Sequence, residues 1–111
     1  MPGIPELEFD RIRQFCDRRV PDDRRDEARV EADVHGTSVT IFDCRPPWHP
    51  DDTDWSRVPV AQLRYDPGRA TWTLYWAGGN GRWHRYDEIA PGSADQLLDE
   101  IDDDPTCVFW G

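Results

Sequence analysis

Lysine is absent: all thirteen basic side chains of this 111-residue chain are arginine. Codon usage in a GC-rich genome accounts for that uniformity more simply than selection of a guanidinium at every site. Aliphatic residues are also scarce, with apolar residues making up 37% of the total, so aliphatics alone would build a thin core. Six tryptophans make up the difference, because each large aromatic buries roughly 150–250 Å². Their number excludes intrinsic disorder despite the charge. No run approaches the roughly 20 apolar residues of a membrane span, and the N-terminus lacks the charged-then-apolar order of a signal peptide. Cysteine is limited to Cys16, Cys44 and Cys107, an odd, widely spaced set with no C-x2-C pair. They read as the reduced thiols of a cytoplasmic protein.

One further absence is positional. From Asp87 to Gly111 there are eight carboxylates and no basic side chain. Met1 to Arg29 carries eight acids against seven arginines, and Val30 to Tyr86 carries seven against six. The net charge of −10 is therefore concentrated in the C-terminal segment, where a charged partner would be sensed.

What is present reads as an ordered α+β chain. Phe9, Ile12, Phe15 and Cys16 recur at helical steps and predict a helix over Glu6–Arg19. Glutamates in its first turn and Arg18 and Arg19 in its last complement the helix dipole, and Val20-Pro21 ends it. Asp22 to Glu27 reads as a charged connector with room for a helical turn. Val30, Ala32 and Val34 then alternate with acids, and Val39 and Ile41 alternate with Thr40 and Phe42. A tight turn at His35-Gly36 would set Val30 opposite Ile41 and Ala32 opposite Val39.

Arg45 to Trp55 contains three prolines and is expected as a loop or flap rather than a central strand. Three more strands follow over Val58–Tyr65, Ala70–Trp76 and Arg82–Tyr86. Asp66-Pro67-Gly68-Arg69 joins the first two, and Gly79-Asn80-Gly81 joins the last two, with Asn-Gly as a type I′ pair. Those turns predict Ala61, Leu63, Trp72, Leu74, Trp76 and Trp83 on the core face. They place Gln62, Arg64, Thr73, Tyr75, His84 and Tyr86 on the other. Ser93 with Gln96 forms a capping box for a last helix with Leu97, Leu98 and Ile101 as its stripe. Asp104-Pro105 stops that helix, and Thr106 to Gly111 is an apolar tail expected to dock as an edge strand or plug. The expected whole is one domain over residues 1–111: helix, five-stranded antiparallel meander, helix and tail.

Val39-Thr40-Ile41, Arg45-Pro46-Pro47-Trp48, Trp72-x-Leu74-Tyr75-Trp76, Asn80-Gly81-Arg82-Trp83-His84-x-Tyr86 and the ending Asp102-x-Asp104-Pro105-x-x-x-Phe109-Trp110-Gly111 together carry a resemblance. The chain resembles the family of small bacterial proteins known as domain of unknown function 3024, common in actinobacteria, over nearly its whole length. The resemblance implies a bacterial cytosolic protein and one compact domain. It implies no activity.

Two functions of different kind fit the residues. The first is a non-enzymatic interaction protein that binds a basic protein. Asp99, Glu100, Asp102, Asp103 and Asp104 would steer the encounter, and Trp48 and Trp55 on the proline-rich loop would anchor it. Those five acids crowd the negative end of the last helix dipole, so nearby arginines compensate them inside the fold, they serve solubility alone, or a partner meets them. The second is a small metal-independent hydrolase or ribonuclease. Arg64 would hold phosphate, His84 would act as acid or base, and Tyr75 and Tyr86 would orient the substrate. The same four residues also fit an ordinary solvated sheet face with cross-strand pairs.

Other chemistries are weaker. Cys44, His49, His84, Cys107 and Asp51, Asp52 and Asp54 lack metal-module spacing, so no metal and no cofactor are expected. Cys44 beside Arg45 and His49 is the one thiol with surroundings suited to nucleophilic attack, and small core packing explains it as well. Trp48, Trp55, Tyr75 and Tyr86 among Arg45, Arg57, Arg64 and Arg85 could stack bases. Yet a chain with pI near 4.5 would repel a phosphate backbone, so nucleic acid is not the expected partner.

Overall fold

A computed structural model describes residues 3–110. Helix α1 spans Glu6–Arg19, the predicted bounds, and buries Ile12, Phe15 and Cys16. A single 3-10 turn, Asp22–Arg24, follows in the charged connector. Five strands then form one antiparallel sheet in sequence order: β1 Arg29–His35, β2 Ser38–Arg45, β3 Ser56–Asp66, β4 Thr71–Ala77 and β5 Trp83–Arg85. Helix α2, Ala94–Asp103, closes the α+β fold behind the Ser93–Gln96 capping box. Among the described residues no helix is long and apolar enough to cross a membrane.

Both helices pack on the same side of the sheet. Ile12, Phe15, Val39, Ile41, Leu63, Trp72, Leu74, Leu97 and Ile101 belong to one hydrophobic cluster. The helices run parallel to each other, for Glu8 accepts from the Ala94 amide, Arg11 meets Asp95 and Arg19 meets Asp102 in ascending order. The Glu8 carboxylate thus sits at the positive end of the α2 dipole. Since α1 leads into β1 and the strands alternate in direction, one end of the sheet collects several features. They are the ends of both helices, the β2–β3 loop and the β4–β5 turn.

The turn of the first hairpin lies one residue later than expected, which shifts each residue's partner by two positions. His35 pairs with Ser38, Val34 with Val39 and Ala32 with Ile41, so Gly36-Thr37 is the turn. A type I′ turn at His35-Gly36 would need positive φ at both residues. Gly36 alone has it here, at +62°, which suits the first central position of a type II′ turn. The apolar residues keep one face because a two-residue shift in pairing preserves the alternation.

The last hairpin departs with larger effect. Ala77 pairs with Trp83, Trp76 with His84 and Tyr75 with Arg85. The loop has three residues, Gly79-Asn80-Gly81, flanked by a hydrogen bond from the Gly78 amide to the Arg82 carbonyl. Gly81 takes φ +78° and adds a bulge residue after the turn. A one-residue slip moves every side chain of a strand to the other face. His84 and Tyr86 therefore lie on the helix side, and Trp83 lies on the uncovered side, the reverse of the expected assignment.

Pro59 is a further irregularity, for it lies in the central strand β3. It is tolerated there beside a shift in pairing: Ile41 faces Ala61 while Phe42 faces Pro59, so Val60 is the extra residue. Val60 and Ala61 are consecutive yet both buried.

The tail docks as a plug with no strand. Phe109 is buried beside Tyr86, with ring centroids 5.0 Å apart. The Trp110 indole N–H donates to the Ile101 carbonyl at 2.8 Å, and Arg19 stacks 4.1 Å over its ring.

Candidate partner-binding site

The loop between β2 and β3 is shaped by its prolines. Pro46 and Pro47 restrict the chain as it leaves Arg45. His49-Pro50-Asp51-Asp52 then closes a turn in which the Asp52 amide donates to the His49 carbonyl at 3.0 Å, with proline at the favoured second position. The Asp51 amide donates to His49 Nδ1 at 3.3 Å. Held between these restrictions, Trp48 is 100% exposed. An indole of roughly 150–250 Å² left in water forgoes about 4–6 kcal/mol of burial at about 25 cal/mol per Å². Trp55 shares a groove of about 650 Å³ with Trp48, Asp52 and Asp54, and one of its faces is already taken by Arg29 at 4.1 Å.

The acids of α2 divide into engaged and bare. Glu100 accepts from the Tyr86 hydroxyl at 2.8 Å, and Asp102 holds Arg19 at 2.7 Å. Asp104 adopts a left-handed conformation, φ +44°, and its carboxylate accepts from the Phe109 and Trp110 amides. These three are spent on the fold, and Arg19 is the compensating arginine. Asp99 and Asp103 are exposed and, among the described residues, have no ion-pair partner. The α2 acids contribute nothing to the Trp48 groove, which is built from the loop and the adjoining strand ends.

The sheet divides the other expected group of four. Arg64 and Tyr75 meet on the uncovered face, with the guanidinium 3.8 Å over the ring and its Nε donating to Gln62 at 2.7 Å. His84 stacks on Trp76 at 4.6 Å on the opposite side. Tyr86 is buried, and its hydroxyl joins Glu100 to Thr106. Burial, then the adjacent Glu100 carboxylate, raises its pKa above the ordinary tyrosine value, while Thr106 opposes the shift. No single reacting group can touch all four side chains.

Cys16 and Cys44 are buried, and Cys107 is exposed. Burial foremost, then Asp17, Cys44 and Glu31, pushes Cys16 up to about 12. Cys44 is also raised, by burial and by Glu31, with Arg57 opposing. Neither has the depressed value of an attacking thiol. Among the described residues no three His, Cys, Asp or Glu side chains group as metal ligands. A second groove, about 330 Å³ between α1 and β1, contains both signs of charge, several of them paired. Arg25 is held by Asp17 and Asp22, and Glu31 and Asp33 by Arg57.

The loop that presents Trp48 and Trp55 was legible from the proline-rich stretch. Asp52 and Asp54 as their companions were not, although three aspartates within four residues of one another beside two tryptophans carried the signal. Neither a curated protein nor a solved structure matches the chain. The family model described as Domain of unknown function (DUF3024) matches residues 1–111, and the chain belongs to that family.

Proposed function

We propose that this chain is a cytosolic, non-enzymatic domain that binds a basic protein through its proline-rich loop. The full exposure of Trp48 on a loop restrained by prolines carries the reading. Tryptophan dominates interface energetics when it enters a pocket, and a loop already ordered loses little entropy on docking. Asp99 and Asp103, bare on α2, steer the encounter with a cationic partner. The free thiols Cys16, Cys44 and Cys107 fit a reducing compartment. A net charge of −10 weighs against a nucleic-acid partner.

The test is capture from bacterial lysate at low salt with the wild type, Trp48→Ala and Asp99→Asn/Asp103→Asn. The wild type is expected to retain a protein in fixed proportion. Trp48→Ala loses it, and the double asparagine variant holds it less well. Because Trp48 is fully exposed, Trp48→Ala should unfold within about 0.5 kcal/mol of the wild type, which separates binding from folding. Identical capture by wild type and Trp48→Ala, or none by either, would refute the proposal.

A further inference from the structure

Among the described residues guanidinium groups lie over aromatic rings at five places: Arg13 on Phe9, Arg19 on Trp110, Arg29 on Trp55, Arg57 on Phe42 and Arg64 on Tyr75. The two tryptophans among these rings hold their arginines at 4.1 Å. Trp48 has the same ring, both faces in solvent, and lies in one groove with Trp55. Asp52 and Asp54 line that groove and, among the described residues, meet no cation. Its arginine, Arg45, is held by Asp43 at 3.3 Å. Negative charge and an open π face in one groove complement a flat cation.

We propose that the groove receives an arginine side chain from an exposed basic segment of a partner protein. Its guanidinium stacks on Trp48 and donates to the carboxylates of Asp52 and Asp54. This assignment rests on the reading of the loop as a protein-docking surface and names what that surface recognises. Arginine is favoured over lysine because a planar fork can stack and bond to carboxylates together, whereas an ammonium acts as a point charge.

The probe is a blocked eight-residue peptide of alternating glycine and arginine, with the glycine–lysine peptide as its charge-matched control. Titration is followed by the Trp48 indole N–H resonance in the full chain. The expected result is saturable movement of that resonance and at least fivefold weaker binding of the lysine peptide. Trp48→Ala and Asp52→Asn/Asp54→Asn should each weaken the arginine peptide at least tenfold. Equal affinity in Trp48→Ala, followed by the other indole resonances, means diffuse attraction to an acidic protein and overturns the assignment. So does equal affinity for lysine, or no movement of the resonance. If Trp48→Ala loses the captured protein while the arginine peptide leaves Trp48 unmoved, the docking surface stands and the arginine falls. If Trp48→Ala alters neither, both fall.

Discussion

Cys16 shows how burial, with nearby negative groups adding to it, sets the behaviour of one side chain. It is 3% exposed on α1, and its proton is held to about 12 against an ordinary 9.0. The neutral thiol is stable in the fold, whereas the unfolded chain ionises once the pH passes about 9. The stabilisation is therefore complete below pH 9 and is lost as pH rises toward 12, at up to about 1.4 kcal/mol per unit. Cys44 and Tyr86 are shifted in the same direction and add to the slope. Urea midpoints measured from pH 8 to pH 11 should fall, and Cys16→Ala should flatten the fall. Thiol labelling of the native protein should modify exposed Cys107 and spare Cys16 and Cys44 until the chain unfolds. An equal native rate at all three would mean the core opens readily. The helical spacing of Phe9, Ile12, Phe15 and Cys16 already indicated this burial. Which charges would surround the thiol was not legible, since Glu31 reaches it only through the packing of β1 against α1.

At the scale of elements, the helices were the most legible parts, because cap, periodic stripe and stop act within a few residues of one another. The hairpins were less so. Gly79-Asn80-Gly81 admits a two-residue or a three-residue loop, and the choice decides whether Trp83 or His84 faces the helices. The bulge at Gly81 makes that choice, and it lets Tyr86 enter the core against Phe109. The tail completes this packing. Removing Cys107 to Gly111 exposes the site of Phe109, which is 7% exposed in place, and breaks the Trp110 bond to Ile101. A loss of about 3–5 kcal/mol in urea unfolding is expected. A truncated chain that unfolds like the full one would show that the plug adds no stability.

For the whole molecule, the balance is between self-repulsion and many weak ion pairs. The exposed pairs, such as Arg11–Asp95 with both side chains more than half exposed, are each worth only about 0–1 kcal/mol. A net charge of −10 on a body with a radius of gyration of 14.4 Å repels itself over distances comparable to the Debye length, about 10 Å at 0.1 M salt. Raising salt to 1 M should therefore raise the melting temperature by a few degrees while weakening association with a basic partner. A lowered melting temperature would mean that the ion pairs outweigh the repulsion.

Element order, the two helices with the capping box of α2, the antiparallel meander and the proline-rich loop were determined by the sequence itself, because each rests on contacts or dihedral limits close along the chain. The tertiary structure decided which side of β5 faces the helices. It tied Glu100, Asp102 and Asp104 to Tyr86, Arg19 and the tail amides, and left Trp48 bare while giving Trp55 to Arg29. These outcomes depend on register and on partners from distant parts of the chain. A local pattern can count the available charges and rings, but only the folded arrangement determines which of them meet.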